Sequence, residues 1–232
     1  MKKNSGQKLY TKAKKIIPGG NMLLSKRPEN FLPDIWPAYY SSSKGCEVTD
    51  LDNNTYTDIS IMGIGTNILG YGNEAVDEAV MSSVKKGVSS TLNCPEEVQL
   101  AEELLNINPW AKMVRFCRTG GELNAMSIRL ARASTGRDKI AVCGYHGWHD
   151  WYLSANLVSN NELNELLLPG LEPKGVPKNL KGSSIPFEYN NFDALKKIME
   201  DNKGQIAAIK MEVFRNVPPK DDYLKKVREL AT

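Results

Sequence analysis

The sequence is poor in cysteine. Cys46, Cys94, Cys117 and Cys143 are the only four in 232 residues, and none forms a C-x-x-C pair. That spacing argues against a disulfide framework and against a thiolate metal site, and it predicts reduced core thiols with no metal bound. Long apolar runs are also missing. The basic start "MKKNSGQKLYTKAKK" is not followed by an apolar segment, so neither secretion nor membrane insertion is indicated and a cytoplasmic protein is expected. Charge of one sign is nearly absent: Lys+Arg 30 against Asp+Glu 27 leaves +3, too little to argue for nucleic acid as a partner. No G-x-G-x-x-G opens a helix after an apolar run, which weakens a dinucleotide-binding reading.

What is present is an alternation of strand and helix signals. Residues 6–17 read as a short basic helix stopped by Pro18-Gly19-Gly20, and Asn21–Ser43 as a covering segment without periodicity. A hairpin is expected from Cys46 to Ser60 around Asp52-Asn53-Asn54. The Gly-rich stretch "MGIGTNILGYGN" leads into a helix carrying Val76, Ala79, Val80 and Val84, which ends at Gly87. Pro95 opens another helix with Val98, Ala101, Leu104 and Leu105 on one face.

Next, "KMVRFC" (112–117) reads as a strand, 122–134 as a helix stopped by Gly136, and "KIAVC" (139–143) as a second strand. Strand, crossover helix and strand make a parallel α/β unit. A Pro/Gly loop (169–186), a helix (192–202), a strand (205–212), the turn "RNVPPKDD" and a last helix running into Thr232 complete the chain.

Ligands of an open parallel sheet collect outside the carboxyl ends of its strands. Three segments leave strands there: "RTGGE", "GYHGWHD" and Glu212 with "VFRN". Gly120 and Gly121 remove Cβ where a helix begins, so backbone amides can approach an anion, and a phosphate is the natural occupant. A tight strand-to-helix turn would use the same two glycines. The second loop concentrates Tyr145, His146, Trp148, His149, Trp151 and Tyr152. An aromatic beside a phosphate site is a platform for a planar ring, and Tyr145, directly after the strand, is the candidate. Trp148, Trp151 and Tyr152 read as a surface loop folded over its own aromatics.

The run "TGGELNAMSIRLARASTGRDKIAVCGYHG" resembles the cofactor-binding region of class III aminotransferases, the fold-type-I pyridoxal phosphate family. The likeness extends from the "PGG" at 18–20 through "GCEVTDLDNNTYTDI" and "LGYGN" to "NVPPKDDYLKKVREL". It implies an α/β fold: a large domain with a mostly parallel sheet and helices on both faces, truncated here, with residues 1–60 as the N-terminal segment and small-domain hairpin and 61–232 as the cofactor-binding domain.

The resemblance further implies that Gly120 and Gly121 hold the phosphate of pyridoxal 5'-phosphate, that Tyr145 stacks on its ring, that His146 and Gly147 complete that loop, and that Glu212 lies near the ring substituents. Gly121 stands where many members carry Ser or Thr, so Thr119 or the backbone must serve. Ser25 and Arg27, with Lys26 between them, occupy a segment linked to substrate carboxylates in the aminomutase branch, although "NMLLSKRP" departs from it.

The Asp that pairs with the pyridine nitrogen and the Schiff-base lysine are not found in this sequence, and Lys210, embedded in a strand, is no substitute. The expectation is therefore the N-terminal part of a homodimeric aminotransferase acting on an amino donor and an oxo or aldehyde acceptor, inactive by itself. The alternatives are glutamate-1-semialdehyde 2,1-aminomutase chemistry and a truncated paralogue that keeps only cofactor binding.

Overall fold

The computed structural model describes residues 4–158, 172–214 and 216–232. The chain forms two compact units, Met1–Gln99 and Leu100–Thr232. Residues 169–171 of the expected Pro/Gly loop and Arg215 of the expected turn lie outside the described residues.

In the first unit, α1 (Ser5–Ile16) begins at Asn4, whose side chain accepts from the Gln7 amide at 2.8 Å while Gln7 returns the bond to the Asn4 amide at 3.3 Å. That reciprocal cap satisfies two donors that helix geometry leaves free. Strands β1 (Tyr40–Lys44), β2 (Glu47–Asp50) and β3 (Thr55–Thr57) form an antiparallel sheet in that order.

The expected hairpin is β2–β3. Its turn is organised by Asp50, only 3% exposed, whose carboxylate accepts from the Asp52 amide (2.8 Å), the Asn54 amide (2.9 Å) and the Tyr56 hydroxyl (3.1 Å). Burial pushes the Asp50 carboxyl upward, but the bonds from Asn54, Asp52 and Tyr56 outweigh it and hold the group below its ordinary value. Strand β1 corrects the reading of 21–43 as mere covering. "YSSSK" carries no apolar alternation, and it becomes a strand because β2 offers it a free edge.

Next come α2 (Met62–Gly65), a single turn whose Gly63 and Ile64 take positive φ, α3 (Glu74–Lys86), capped by Asn73 and Gly87, and α4 (Pro95–Ile107). Helices α3 and α4 lie where periodicity put them, while α2 falls inside the expected Gly-rich loop. The α3 positions Val76, Val80 and Val84 nevertheless stay exposed, because no described element packs over them.

The second unit is a parallel three-stranded sheet. Helix α5 (Gly120–Thr135) leads through the left-handed Gly136 to β4 (Lys139–Cys143). Helix α6 (Asp150–Leu153) precedes β5 (Ser184–Pro186), and α7 (Phe192–Asp201), β6 (Ile206–Met211) and α8 (Tyr223–Leu230) follow. The order is β5-β4-β6, with Val142 opposite both Pro186 and Lys210.

Both sheet faces are covered. Ile140 and Val142 pack with Ile128 of α5 and with Trp151, Tyr152 and Ala155 on one side. Ala141 and Cys143 pack with Leu195 of α7 and Tyr223 and Val227 of α8 on the other. The chain thus leaves β4 toward one face and β6 toward the opposite face, which makes the crevice between their carboxyl ends a topological switch point.

Several expectations are corrected. Residues 112–117 do not form a strand: no described strand pairs with them, and Met113 is 88% exposed. β5 was hidden in the Pro/Gly loop, being three residues long and ending in proline. Trp151 and Tyr152 are core residues, not surface ones, and only Trp148 is exposed. Of the cysteines, Cys143 is buried while Cys46 and Cys94 are exposed. The last helix ends at Leu230, with Ala231 as its cap. Among the described residues no helix is long and apolar enough to cross a membrane, and no His/Cys/Asp/Glu group is arranged to hold a metal.

Candidate functional site

Thr119, with extended backbone at φ −133°, caps α5, its hydroxyl oxygen accepting from the Glu122 amide at 3.2 Å. The Glu122 carboxylate turns back to accept from the Arg118 amide at 3.1 Å. The Gly120 and Gly121 amides have no acceptor among the described residues. They lie at the positive end of a 16-residue helix, where an anion is stabilised. A Cβ on Gly120 would meet nothing within 4 Å, while one on Gly121 would stand 3.1 Å from His149 Nε2. Open space therefore lies beside Gly120, and an imidazole flanks Gly121.

The loop after β4 reaches this helix start. Gly147, at φ +102°, comes so close that a Cβ on it would lie 3.1 Å from the Gly121 Cα. Gly144, at φ +88°, is overlaid by the Glu212 side chain: a Cβ there would sit 2.5 Å from Glu212 Oε2. The same carboxylate accepts from the Tyr145 amide at 3.3 Å. The ends of β4 and β6 thus bring Tyr145 and Glu212 together, and the loop after β4 meets the start of α5 at Gly121, as ligand sites at strand ends require.

Tyr145 is half-buried and meets Tyr152 edge-on at 6.1 Å between centroids. The Tyr152 hydroxyl donates to the Gly144 carbonyl at 2.9 Å. His146 joins the loop by its backbone only. Its ring is 5% exposed, turns into the core against Trp151 and Tyr152, and places Nε2 2.8 Å from the Cys143 carbonyl oxygen. Burial pushes its pKa below the ordinary histidine value, against the opposing pull of that carbonyl.

Lys210 lies in β6 opposite Val142, and burial lowers its ammonium pKa. Ser25 and Arg27 belong to the first unit, around a 3-10 turn at Leu24–Lys26. There the Arg27 guanidinium packs over Gly19. Sequence reasoning passed over His149 and Asn124 as site residues. For His149 the signal was its place in the loop beside the glycines. For Asn124 there was none, because its role depends on which loop lies over it.

A helix start with unpaired amides, set at the switch point of a doubly covered parallel sheet, defines the class of α/β proteins that bind phosphorylated ligands at strand ends. More narrowly, the fold is that of fold-type-I pyridoxal phosphate transaminases. It superposes on an omega-transaminase from Sphaerobacter thermophilus with TM-score 0.81 at 24% identity, over 98% of this chain and 52% of that one. A transaminase described with pyridoxal phosphate bound gives TM-score 0.84 at 26% identity, over 99% and 53%.

The chain belongs to the class-III aminotransferase family, whose model matches residues 33–232. It is 34% identical over 230 residues to 3-aminobutyryl-CoA aminotransferase of Cloacimonas acidaminovorans (strain Evry), covering 96% of this chain and 51% of the relative. It is 35% identical over 237 residues to glutamate-1-semialdehyde 2,1-aminomutase of Methanosphaera stadtmanae, covering 100% and 53%. The chain spans about half the length of the curated relatives it matches.

Proposed function

We propose that this chain is the cofactor-phosphate and ring-binding part of a pyridoxal phosphate-dependent aminotransferase. The intact enzyme would transfer an amino group between an amino compound and an oxo or aldehyde compound. One observation carries the reading: two unpaired glycine amides stand at the start of α5, with open space beside Gly120 and the loop that presents Tyr145 next to them. That cradle fits a phosphate, because even a Cβ on Gly120 would stand in space with nothing within 4 Å.

The Gly120 and Gly121 amides bind the phosphate oxygens. Thr119 already accepts from the Glu122 amide, so its hydroxyl proton is free to donate to the phosphate, which answers the missing hydroxyl at 121. His149 Nε2 adds a donor at the rim of Gly121. The Tyr145 ring stacks on the pyridine, and Glu212 fixes the amide that carries that ring. Pyridoxal phosphate, when bound, supplies the electron sink for breaking bonds at the amino-bearing carbon.

The named relatives include an aminotransferase and an aminomutase, so the proposal commits to amino-group transfer and to no particular substrate. Ser25 and Arg27 remain proposed substrate contacts of the intact enzyme. In this reading residues 1–60 belong to its small domain and 61–232 to its large one, in a cytoplasmic homodimer. The loop 61–72, with Ile68 at 93% and Leu69 at 68% exposure, would then face a partner copy.

The test is a pyridoxal phosphate titration of this chain by itself. Binding that is saturable, reversible by dialysis and unaffected by borohydride supports the reading, together with absence of transaminase turnover. A borohydride-stable adduct at one lysine, with turnover, would overturn the division of machinery proposed here.

A further inference from the structure

The loop that carries Tyr145 is held from three sides. Tyr152 donates to the Gly144 carbonyl, Glu212 accepts from the Tyr145 amide, and the His146 ring bonds back to the Cys143 carbonyl. Each of these ties the loop to its own strand, to the helix after it or to the end of β6. None ties it to α5, where the phosphate amides are. Gly147 and Gly121 approach closely, with no hydrogen bond between them among the described residues.

One hydrogen bond links the two parts among the described residues: Asn124 Nδ2 donates to the His146 carbonyl at 3.1 Å. Asn124 stands about one helical turn beyond Gly120 and Gly121 on α5, so its position relative to those amides is fixed by helix geometry. His146 is the residue directly after Tyr145, so its carbonyl moves with the ring platform.

We propose that Asn124 is a positioning residue whose side-chain amide, bonded to the His146 carbonyl, sets the separation between the phosphate-binding amides of α5 and the Tyr145 ring. A ligand holding only the phosphate amides does not sense that separation. A ligand that spans both, with a phosphate joined to a planar ring, does. The inference rests on the cofactor reading of the site and adds to it a reason for the side chain at 124.

The experiment titrates the full chain and its variants with pyridoxal 5'-phosphate and, separately, with inorganic phosphate, following tryptophan fluorescence and thermal shift. Asn124→Leu keeps the size and removes the donor. Its affinity for pyridoxal phosphate is expected to fall about tenfold, the scale of one lost hydrogen bond, while its affinity for inorganic phosphate changes less than about twofold. Asn124→Gln, which restores a donor, is expected to recover part of the loss. If the leucine variant fails to fold, Asn124→Ser, with a shorter donor, should show the same split.

Equal weakening toward both ligands, or no change toward either, overturns the positioning role and leaves the cofactor reading standing. Wild-type protein that fails to bind pyridoxal phosphate at all sinks the reading and the positioning role with it.

Discussion

Replacing Gly144 by alanine sets a methyl group against the carboxylate that holds the ring-bearing loop. The new Cβ would lie 2.5 Å from Glu212 Oε2 and 2.9 Å from both Cδ and Cγ. The whole Glu212 side chain must therefore leave, not its tip alone. The backbone adds a second cost, since φ is +88° at this residue. Left-handed-side backbone at a non-glycine residue costs roughly 1–2 kcal/mol, and losing a hydrogen bond to a charged group roughly 1.5–3 kcal/mol.

We therefore expect Gly144→Ala to destabilise the second unit by about 2.5–5 kcal/mol, a large share of ordinary domain stability. Urea unfolding followed by tryptophan fluorescence reads the loss. A double-mutant cycle separates the two costs: on a Glu212→Ala background the carboxylate is already gone, and only the backbone strain should remain. Strict additivity of the two substitutions would refute the argument that Glu212 occupies the space over Gly144.

Other expected outcomes concern titration and the first unit. His146 has a pKa lowered by burial, so the unfolded chain takes up its proton first; stability should be constant above pH of about 6.5 and fall as pH drops below it, and His146→Gln should flatten that slope in urea midpoints measured from pH 7.5 to 5.5. Burial pushes the Cys143 thiol up to about 12. Alkylation at neutral pH, mapped by mass spectrometry, should label exposed Cys46 and Cys94 quickly and Cys143 only after unfolding. Asp50→Ala leaves the Asp52 and Asn54 amides and the Tyr56 hydroxyl without their acceptor, and should destabilise the first unit by about 2–4 kcal/mol, read as faster hydrogen exchange across β2 and β3.

Much of this architecture is legible in the sequence. Helical spacing and capping residues located α3, α4 and α5, and short apolar runs located β4 and β6, because those signals are local. Glycine at 120 and 121 before an amphipathic helix pointed to backbone approach, and the structure places open space beside Gly120. What escaped was non-local. "KMVRFC" has strand composition, yet a strand exists only where a neighbour completes its ladder. "YSSSK" lacks strand composition but pairs with β2. Trp151 and Tyr152 follow a glycine-containing loop and read as surface, whereas they turn back under α5 into the core. Asn124 offers no local signal at all, since its function depends on a carbonyl 22 residues away in sequence.

The central claim is that the open space beside Gly120 is a phosphate site and not an accident of a tight turn. Gly120 takes no positive φ and a Cβ there meets nothing within 4 Å, so Gly120→Leu should leave the thermal midpoint of the free protein unchanged or slightly raised. Titration of wild type and variant with pyridoxal 5'-phosphate decides the matter. The account predicts saturable binding by wild type and at least about a tenfold loss in the variant, equivalent to about 1.4 kcal/mol. Equal affinity of the two proteins would contradict it.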